Sequence, residues 1–218
     1  MLQWSFSGLK KYRNCPKQYY EVKVAKNYAD VTHASAIFGK EVHSAIQSYV
    51  EQGAPFPKNY AALLSNVPRI IELLPGRKIV EHEMAIDAEY QPCSFDNANY
   101  FARGIADLVS FDGNHAFVID WKTGSYRYAD PKQLTLMALL LFYNFPEVMF
   151  IDGMLFFTKT SHPVFSPTYE RKDIDTMWAA FTKDLNSLRG SFNTGNWPMT
   201  PSGLCGFCPV EVCPHWRV

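Results

Sequence analysis

Phe117-Val-Ile-Asp120-Trp-Lys122-Thr-Gly124 is the stretch on which the reading of this 218-residue chain turns. An apolar, β-branched run ends in an acid and an amine and then meets a Thr-Gly turn. Side chains two apart on a strand point the same way, so Asp120 and Lys122 share one face. A strand that buries its start and offers a carboxylate and an ammonium at its end can hold a metal ion beside a cation. That pairing suits chemistry on a phosphodiester.

Asp112-Gly113-Asn114 is a hairpin signal between this strand, expected over 115–122, and an earlier one over 100–111. The earlier strand carries Arg103-Gly104-Ile105-Ala106-Asp107, an acid among apolar neighbours. Asp is depleted in strands, and a buried carboxylate needs a cation. A hairpin about 112–114 brings Asp107 and Asp120 together, where they repel unless a divalent ion bridges them. Mg²⁺ or Mn²⁺ with waters completing the shell is the expected occupant; an ion pair between Asp107 and Arg103 is the competing expectation. Lys122 then orients the attacking water or stabilises the charged phosphate. Gln133 opens the next helix, where its amide can orient that lysine or the phosphate. His43 lies on a helix four residues after Gly39 and on the same face, where a small residue lets another segment approach. As a metal ligand its nitrogen favours Mn²⁺ over Mg²⁺.

Lys+Arg and Asp+Glu number 21 each, so no global basic field marks a nucleic-acid binder, and any such contact must use a local patch. The N-terminal part supplies one: Lys10, Lys11, Arg13, Lys17, Lys23 and Lys26 face only Glu21 before Asp30. The first residues lack a signal-peptide pattern, and the longest apolar run, 134–145, is too short to span a bilayer. The expectation is a cytoplasmic protein with no membrane partner.

Helices are expected over 5–20, 34–50 and 59–74, the last broken or kinked at Pro68, then over 132–145 and 171–189. Strands are expected over 78–88, 100–111, 115–122 and 148–158, the last paired with 164–169. This order predicts an α/β fold, a mixed sheet flanked by helices with a helical N-terminal part.

Five cysteines is an odd number, and Cys205, Cys208 and Cys213 are clustered. A reducing compartment and a metal fit this better than a disulfide framework. Three thiolates need a fourth ligand. His215, Cys93 and Cys15 are candidates, so zinc on Cys₃His and iron–sulfur on Cys₄ are rivals on these grounds alone.

Together the motifs resemble the RecB-type nucleases of the PD-(D/E)xK superfamily. The nearest branch carries an iron–sulfur clasp. It includes CRISPR-adaptation nucleases, clasped nuclease domains of bacterial recombination helicases, and similar phage exonucleases. The segment Ser5 to Pro16 resembles that branch's N-terminal cysteine motif. Gly39 to His43 is similar to its Gly-x-x-x-His helix, Gly104 to Asp107 to its Gly-x-x-Asp strand, and Asp120-Trp121-Lys122 to its Asp-x-Lys strand. Gln133 falls where the Gln-x-x-x-Tyr helix begins, although Met137 replaces the Tyr.

The resemblance implies a single restriction-endonuclease-like domain over 1–218, with residues 1–30 and 191–218 forming the clasp. It implies metal ligation by His43, Asp107, Asp120 and the Trp121 backbone carbonyl, with Asp107, Asp120, Lys122 and Gln133 catalytic. Cys15, Cys205, Cys208 and Cys213 become ligands of a 4Fe-4S cluster, with Zn²⁺ as the alternative. Lys10, Lys11, Tyr12, Arg13 and Tyr126 are candidate DNA contacts, and Trp121 a further candidate for stacking on bases. The implied activity is a metal-dependent DNA exonuclease on single-stranded or end-bearing DNA, bacterial or phage-encoded. The alternatives are an overhang-processing endonuclease in a recombination or CRISPR-adaptation complex, and a non-catalytic binding or inhibitory module. The chain shows no helicase motor, so unwinding is not expected of it.

Overall fold

The computed structural model describes residues 2–30 and 33–217. Its strands are β1 (Trp4–Ser5), β2 (Arg77–Ile86), β3 (Pro92–Cys93), β4 (Ala102–Asp112), β5 (His115–Lys122), β6 (Phe150–Phe157), β7 (His162–Phe165) and β8 (Tyr169–Glu170). Its α-helices are α1 (Phe6–Asn14), α2 (Pro16–Tyr19), α3 (Ala34–Gln52), α4 (Val67–Leu73), α5 (Lys132–Asn144) and α6 (Ile174–Thr194).

One mixed sheet runs β3-β2-β4-β5-β6-β7, with β1 pairing on β4 and β8 on β6. The turn at 112–114 makes β4 and β5 an antiparallel hairpin, with Gly113 at φ +58° as a tight turn requires. β6 returns parallel to β5 after the α5 crossover.

Alternation along β5 divides the core. Ala116 and Val118 face one layer, with α1, α5 and α6, while Ile119 and Trp121 face the other, with α3 and α4. Asp120 and Lys122 continue the α5 face. α5 is apolar on nearly all sides and buried over Leu136–Phe142, as the central helix of that layer must be.

Two expectations for helices fail at proline. The first helix stops at Asn14, because Cys15 is extended (φ −162°, ψ 107°) ahead of Pro16 and restarts as α2. A π-helical turn, Tyr20–Val24, follows. Residues 58–66 form turns rather than helix, and Pro68 sits in the first turn of α4 instead of kinking a longer helix.

The feature that positions the site is a fork. The β4–β5 ladder runs from Asp112↔His115 to Leu108↔Ile119, and there it ends. β5 stays with β6 as far as Lys122↔Phe157. Beyond the fork β4 stays with β2 and takes β1 on its freed side, pairing Trp4↔Ala102 and Ser5↔Arg103. Asp107 and Asp120 occupy the next register step, where the strands part.

Gly76 precedes β2 at φ +65°, and a Cβ there would lie 1.8 Å from the Phe111 carbonyl oxygen. Gly76→Ala is expected to cost about 2–4 kcal/mol, combining left-handed strain with a backbone clash. Gly113→Ala, at φ +58° but in open space, should cost only about 1–2 kcal/mol. Urea midpoints of the two variants at unchanged slope test this ordering.

Candidate active site

Where β5 leaves β4, the backbone N–H of Trp121 has no ladder partner on β4. Asp107 supplies one: its Oδ2 accepts from Trp121 N at 2.7 Å. The other Asp107 oxygen faces His43 of α3, with Oδ1 3.4 Å from Nδ1. The opposite ring nitrogen, Nε2, donates to the Trp121 carbonyl at 2.8 Å. His43, Asp107 and the Trp121 carbonyl, three of the expected ligands, are therefore brought together.

Glu81 joins them, a residue the sequence reading missed. The β2–β4 ladder pairs Val80↔Leu108 and His82↔Ala106, so Glu81 stands opposite Asp107 at a step that is skipped. Its backbone is left-handed (φ +47°), a conformation that costs a non-glycine residue of order 1–3 kcal/mol. Glu81 Oε1 lies 3.8 Å from His43 Nδ1. Ligand atoms of His43, Glu81 and Asp107 all lie within 4.8 Å of one another. Counting antiparallel register back from Asp107 was the one signal that could have found Glu81.

Asp120 stands outside that trio, opposite Asp107. It forms an ion pair with Lys122 through Oδ2 and accepts a hydrogen bond from the Gln133 amide through Oδ1. Gln133 Oε1 in turn accepts from Lys122 Nζ at 2.8 Å. One amide at the start of α5 thus fixes both the acid and the amine. Asp120 Oδ2 is fully buried and lacks a well-directed hydrogen bond, which leaves it with unused acceptor capacity.

Burial and the field of Asp107 push the Asp120 carboxyl up to about 6, against the pull of Lys122 and His43. Burial also works against a charged His43. The hydrogen bond with Asp107, and the charges of Asp107, Asp120 and Glu81, outweigh it and raise the imidazole to about 9. Burial and Asp107 likewise push Glu81 up. The row of acids therefore carries more negative charge than it can hold without a cation. Three oxygen-bearing side chains and an imidazole are a donor set that fits Mg²⁺ or Mn²⁺.

The site opens on a groove of about 1500 Å³ whose lining includes Lys10, Arg103, Lys122, Tyr128 and Gln133. Met137 also lines it but packs over Gly104, where a Cβ would fall 2.3 Å from the methionine methyl, and so offers no polar group. Arg103 does not pair with Asp107. Its guanidinium lies over the Phe95 and Tyr100 rings instead.

Other sequence-level candidates are redistributed. Tyr12 is 4% exposed and hydrogen-bonds Ser187 and Ser191 of α6; Trp121 is 1% exposed. Neither ring is free to stack on a base, which corrects that expectation. Arg13 is tied to Asp130 and Asp184, and Lys11 to Asp30. Tyr126 is 40% exposed, with its ring 4.2 Å from that of His162. Lys10 is exposed at the groove.

Fold and site define a nuclease class, and comparison with known proteins agrees. The family profile described as the PD-(D/E)XK nuclease superfamily matches residues 3–214. The chain belongs to that superfamily, whose members use divalent metals to act on nucleic acid. Among solved structures, a provisionally named exonuclease from Eubacterium rectale is similar at 13% identity and TM-score 0.55, over 99% of this chain and 87% of that one. SSO0001 is similar at 17% identity and TM-score 0.50, with the same two coverages. These two likenesses speak to the fold. No curated protein gives a significant match. Among the described residues no helix is long and apolar enough to cross a membrane.

The raised Asp120 and His43 both bind protons more tightly folded than unfolded. Each adds stability below its unfolded value, lost as pH rises through about 6 and about 9 respectively. A bound ion displaces these protons, so its stabilising effect grows with pH. At roughly 100 times its Kd, Mn²⁺ should raise Tm by roughly 5–10 °C at pH 8 and clearly less at pH 5.5. Glu81→Gly should raise the metal-free Tm, by relieving strain and repulsion, while shrinking the Mn²⁺ gain. A gain equal at both pH values and untouched by Glu81→Gly places the ion elsewhere.

Proposed function

We propose that this chain is a divalent-metal-dependent deoxyribonuclease acting as an exonuclease on single-stranded or end-bearing DNA. The observation that carries the reading is the acidic row Glu81, Asp107 and Asp120 across three adjacent strands, with Lys122 at its edge and an open groove beside it. A divalent ion bound there supplies positive charge to the phosphate and makes water acidic enough to attack at neutral pH. His43, Glu81 and Asp107 would hold it, with Asp120 and the Trp121 carbonyl at hand. Lys122, steadied by Gln133, places an ammonium next to the developing charge on the phosphate. Tyr128, 80% exposed in the groove, offers aromatic surface on which unpaired bases can stack, which favours single strands. The exonuclease name of the Eubacterium rectale relative points the same way.

The same proposal treats 1–218 as one domain closed at its ends by a 4Fe-4S cluster; Met1 and Val218 lie outside the described residues. Cys15, Cys205, Cys208 and Cys213 are free thiols lining one cavity with His215. Burial and the other three cysteines push the Cys208 thiol up, against a backbone hydrogen bond from Val210. Four converging thiols fit either a cluster or a thiolate metal site. Cys93 is elsewhere, on β3 opposite Ala85 of β2.

Asp107→Ala, Asp120→Ala and Lys122→Ala should each lower Mn²⁺-dependent cleavage of end-labelled single-stranded DNA by about 10²-fold or more. Mononucleotides released from the first time points mark an exonuclease, and internal fragments mark the overhang-processing endonuclease. Wild-type rates in all three variants end the catalytic reading. Protein purified without oxygen should be brown with broad visible absorption, and Cys208→Ser should bleach it. A colourless protein containing zinc would replace the cluster by a Cys₃His or Cys₄ zinc site.

A further inference from the structure

We propose that Arg103 is a phosphate-binding residue that leads the substrate strand away from the catalytic centre, past the N-terminal end of α1, into a second groove. The proposal rests on the nucleic-acid reading above and adds the path of the strand.

Arg103 is distinguished first by its charge. Lys11 and Lys23 share Asp30, Arg13 meets Asp130 and Asp184, and Lys17 meets Glu21. Among the described residues Arg103 has no carboxylate in ion-pair range, and Asp107, four residues on, is engaged by Trp121 N and His43. A half-buried guanidinium without a counter-charge calls for an anion.

Its placement is the second point. The guanidinium carbon lies 4.6 Å from the Phe95 ring centre and 4.4 Å from that of Tyr100, and NH1 donates to the Phe95 carbonyl at 2.9 Å. The loop carrying those rings is braced by its own hydrogen bonds, Asn97 N to Ser94 O and Tyr100 N to Asn97 O. At the backbone Arg103 is held between β1 and β2, opposite Ser5 and Ala85. Aromatic faces hold the planar group in one orientation, and among the described residues only one of its five donors has a protein acceptor, so an edge remains for phosphate oxygens.

The third point is topology. The groove beside the catalytic centre and a second groove of about 1310 Å³ both include Ser5, Ser7 and Arg103 in their walls. The second also carries Lys11, Lys23 and the Asp30 between them, a net single positive charge. Arg103 therefore stands at the junction of two grooves, one holding Lys122 and Gln133 and the other leading past Lys11 and Lys23 with the Asp30 they share. A lone phosphate needs one such site. A chain of phosphodiesters can follow both.

The test measures binding of fluorescently labelled dT4 and dT12 by anisotropy, with Ca²⁺ in place of Mn²⁺ to suppress cleavage, across a salt series. Arg103→Ala should weaken dT12 about 10-fold and lower the slope of log K against log salt by about 0.7, one phosphate contact on a single strand. Arg103→Lys should recover the slope but not the full affinity. Lys23→Glu, at an exposed position in the second groove, should weaken dT12 several-fold and leave dT4 unchanged. Arg103→Met preserves much of the side-chain bulk against the two rings, so its slope should match that of Arg103→Ala, whereas wild-type behaviour in Arg103→Met would assign the alanine effect to loop damage. Unchanged slopes in both Arg103→Ala and Arg103→Met, or a Lys23→Glu effect equal on the two lengths, overturn the path while leaving the nuclease reading intact. Inorganic phosphate competing with dT4 and dT12 equally would reduce Arg103 to a simple anion site. No binding of either oligonucleotide by the wild-type protein would instead sink the nucleic-acid reading beneath it.

Discussion

The hydrogen bond from Trp121 N to Asp107 is the interaction on which the rest of the site depends. An antiparallel hairpin normally continues until its strands run out. Here it is cut short while both strands go on, β5 with β6 and β4 with β2 and β1. A separated strand exposes a backbone donor, and a buried donor left unmade costs about 1–3 kcal/mol. The carboxylate of Asp107 fills that role, so the fork is stable and the groove beside it remains open. The same acid is thereby committed through one oxygen to the fold, leaving the other for His43 and a cation.

Crowding of like charge follows from this arrangement. Glu81, Asp107 and Asp120 fall at matching register positions on three neighbouring strands, and the protein answers with His43 on one side and Lys122 on the other. Gln133 serves both members of the Asp120–Lys122 pair because an amide has one donor end and one acceptor end. The left-handed backbone at Glu81 shows that local comfort has been given up where ligand geometry is needed.

Much of this was legible in the sequence, for identifiable reasons. Asp112-Gly113-Asn114 announces a hairpin, and once that turn is placed, Asp107 and Asp120 must approach each other. The period-2 pattern of β5 put Asp120 and Lys122 on one face, and Gln133 fell within reach because α5 starts soon after the Thr-Gly turn. Glu81 was hidden because β2 carries two acids, Glu81 and Glu83, about His82, and neither shows its register partner, while a left-handed φ leaves no mark in residue type. The expected helix over 59–74 formed only over Val67–Leu73, because scattered apolar residues over 59–66 imitate helical spacing when a turn-rich loop packs on a core. Tyr12 and Trp121 were misjudged as surface aromatics because burial depends on α6 and β6, which lie far away in the chain.

The helix α1 links two distant parts of the molecule. Its first turn, with Ser7 and Lys10, walls the groove beside the acidic row, and its last residue, Asn14, lines the cysteine cavity with the following Cys15. Nine residues make a stiff rod of about 13 Å. The thiols at one end of that rod and the groove wall at the other therefore belong to one local unit of structure. Cys15 follows directly on that rod, so the cysteine cavity and the groove wall stand about one short helix apart along a continuous stretch of chain.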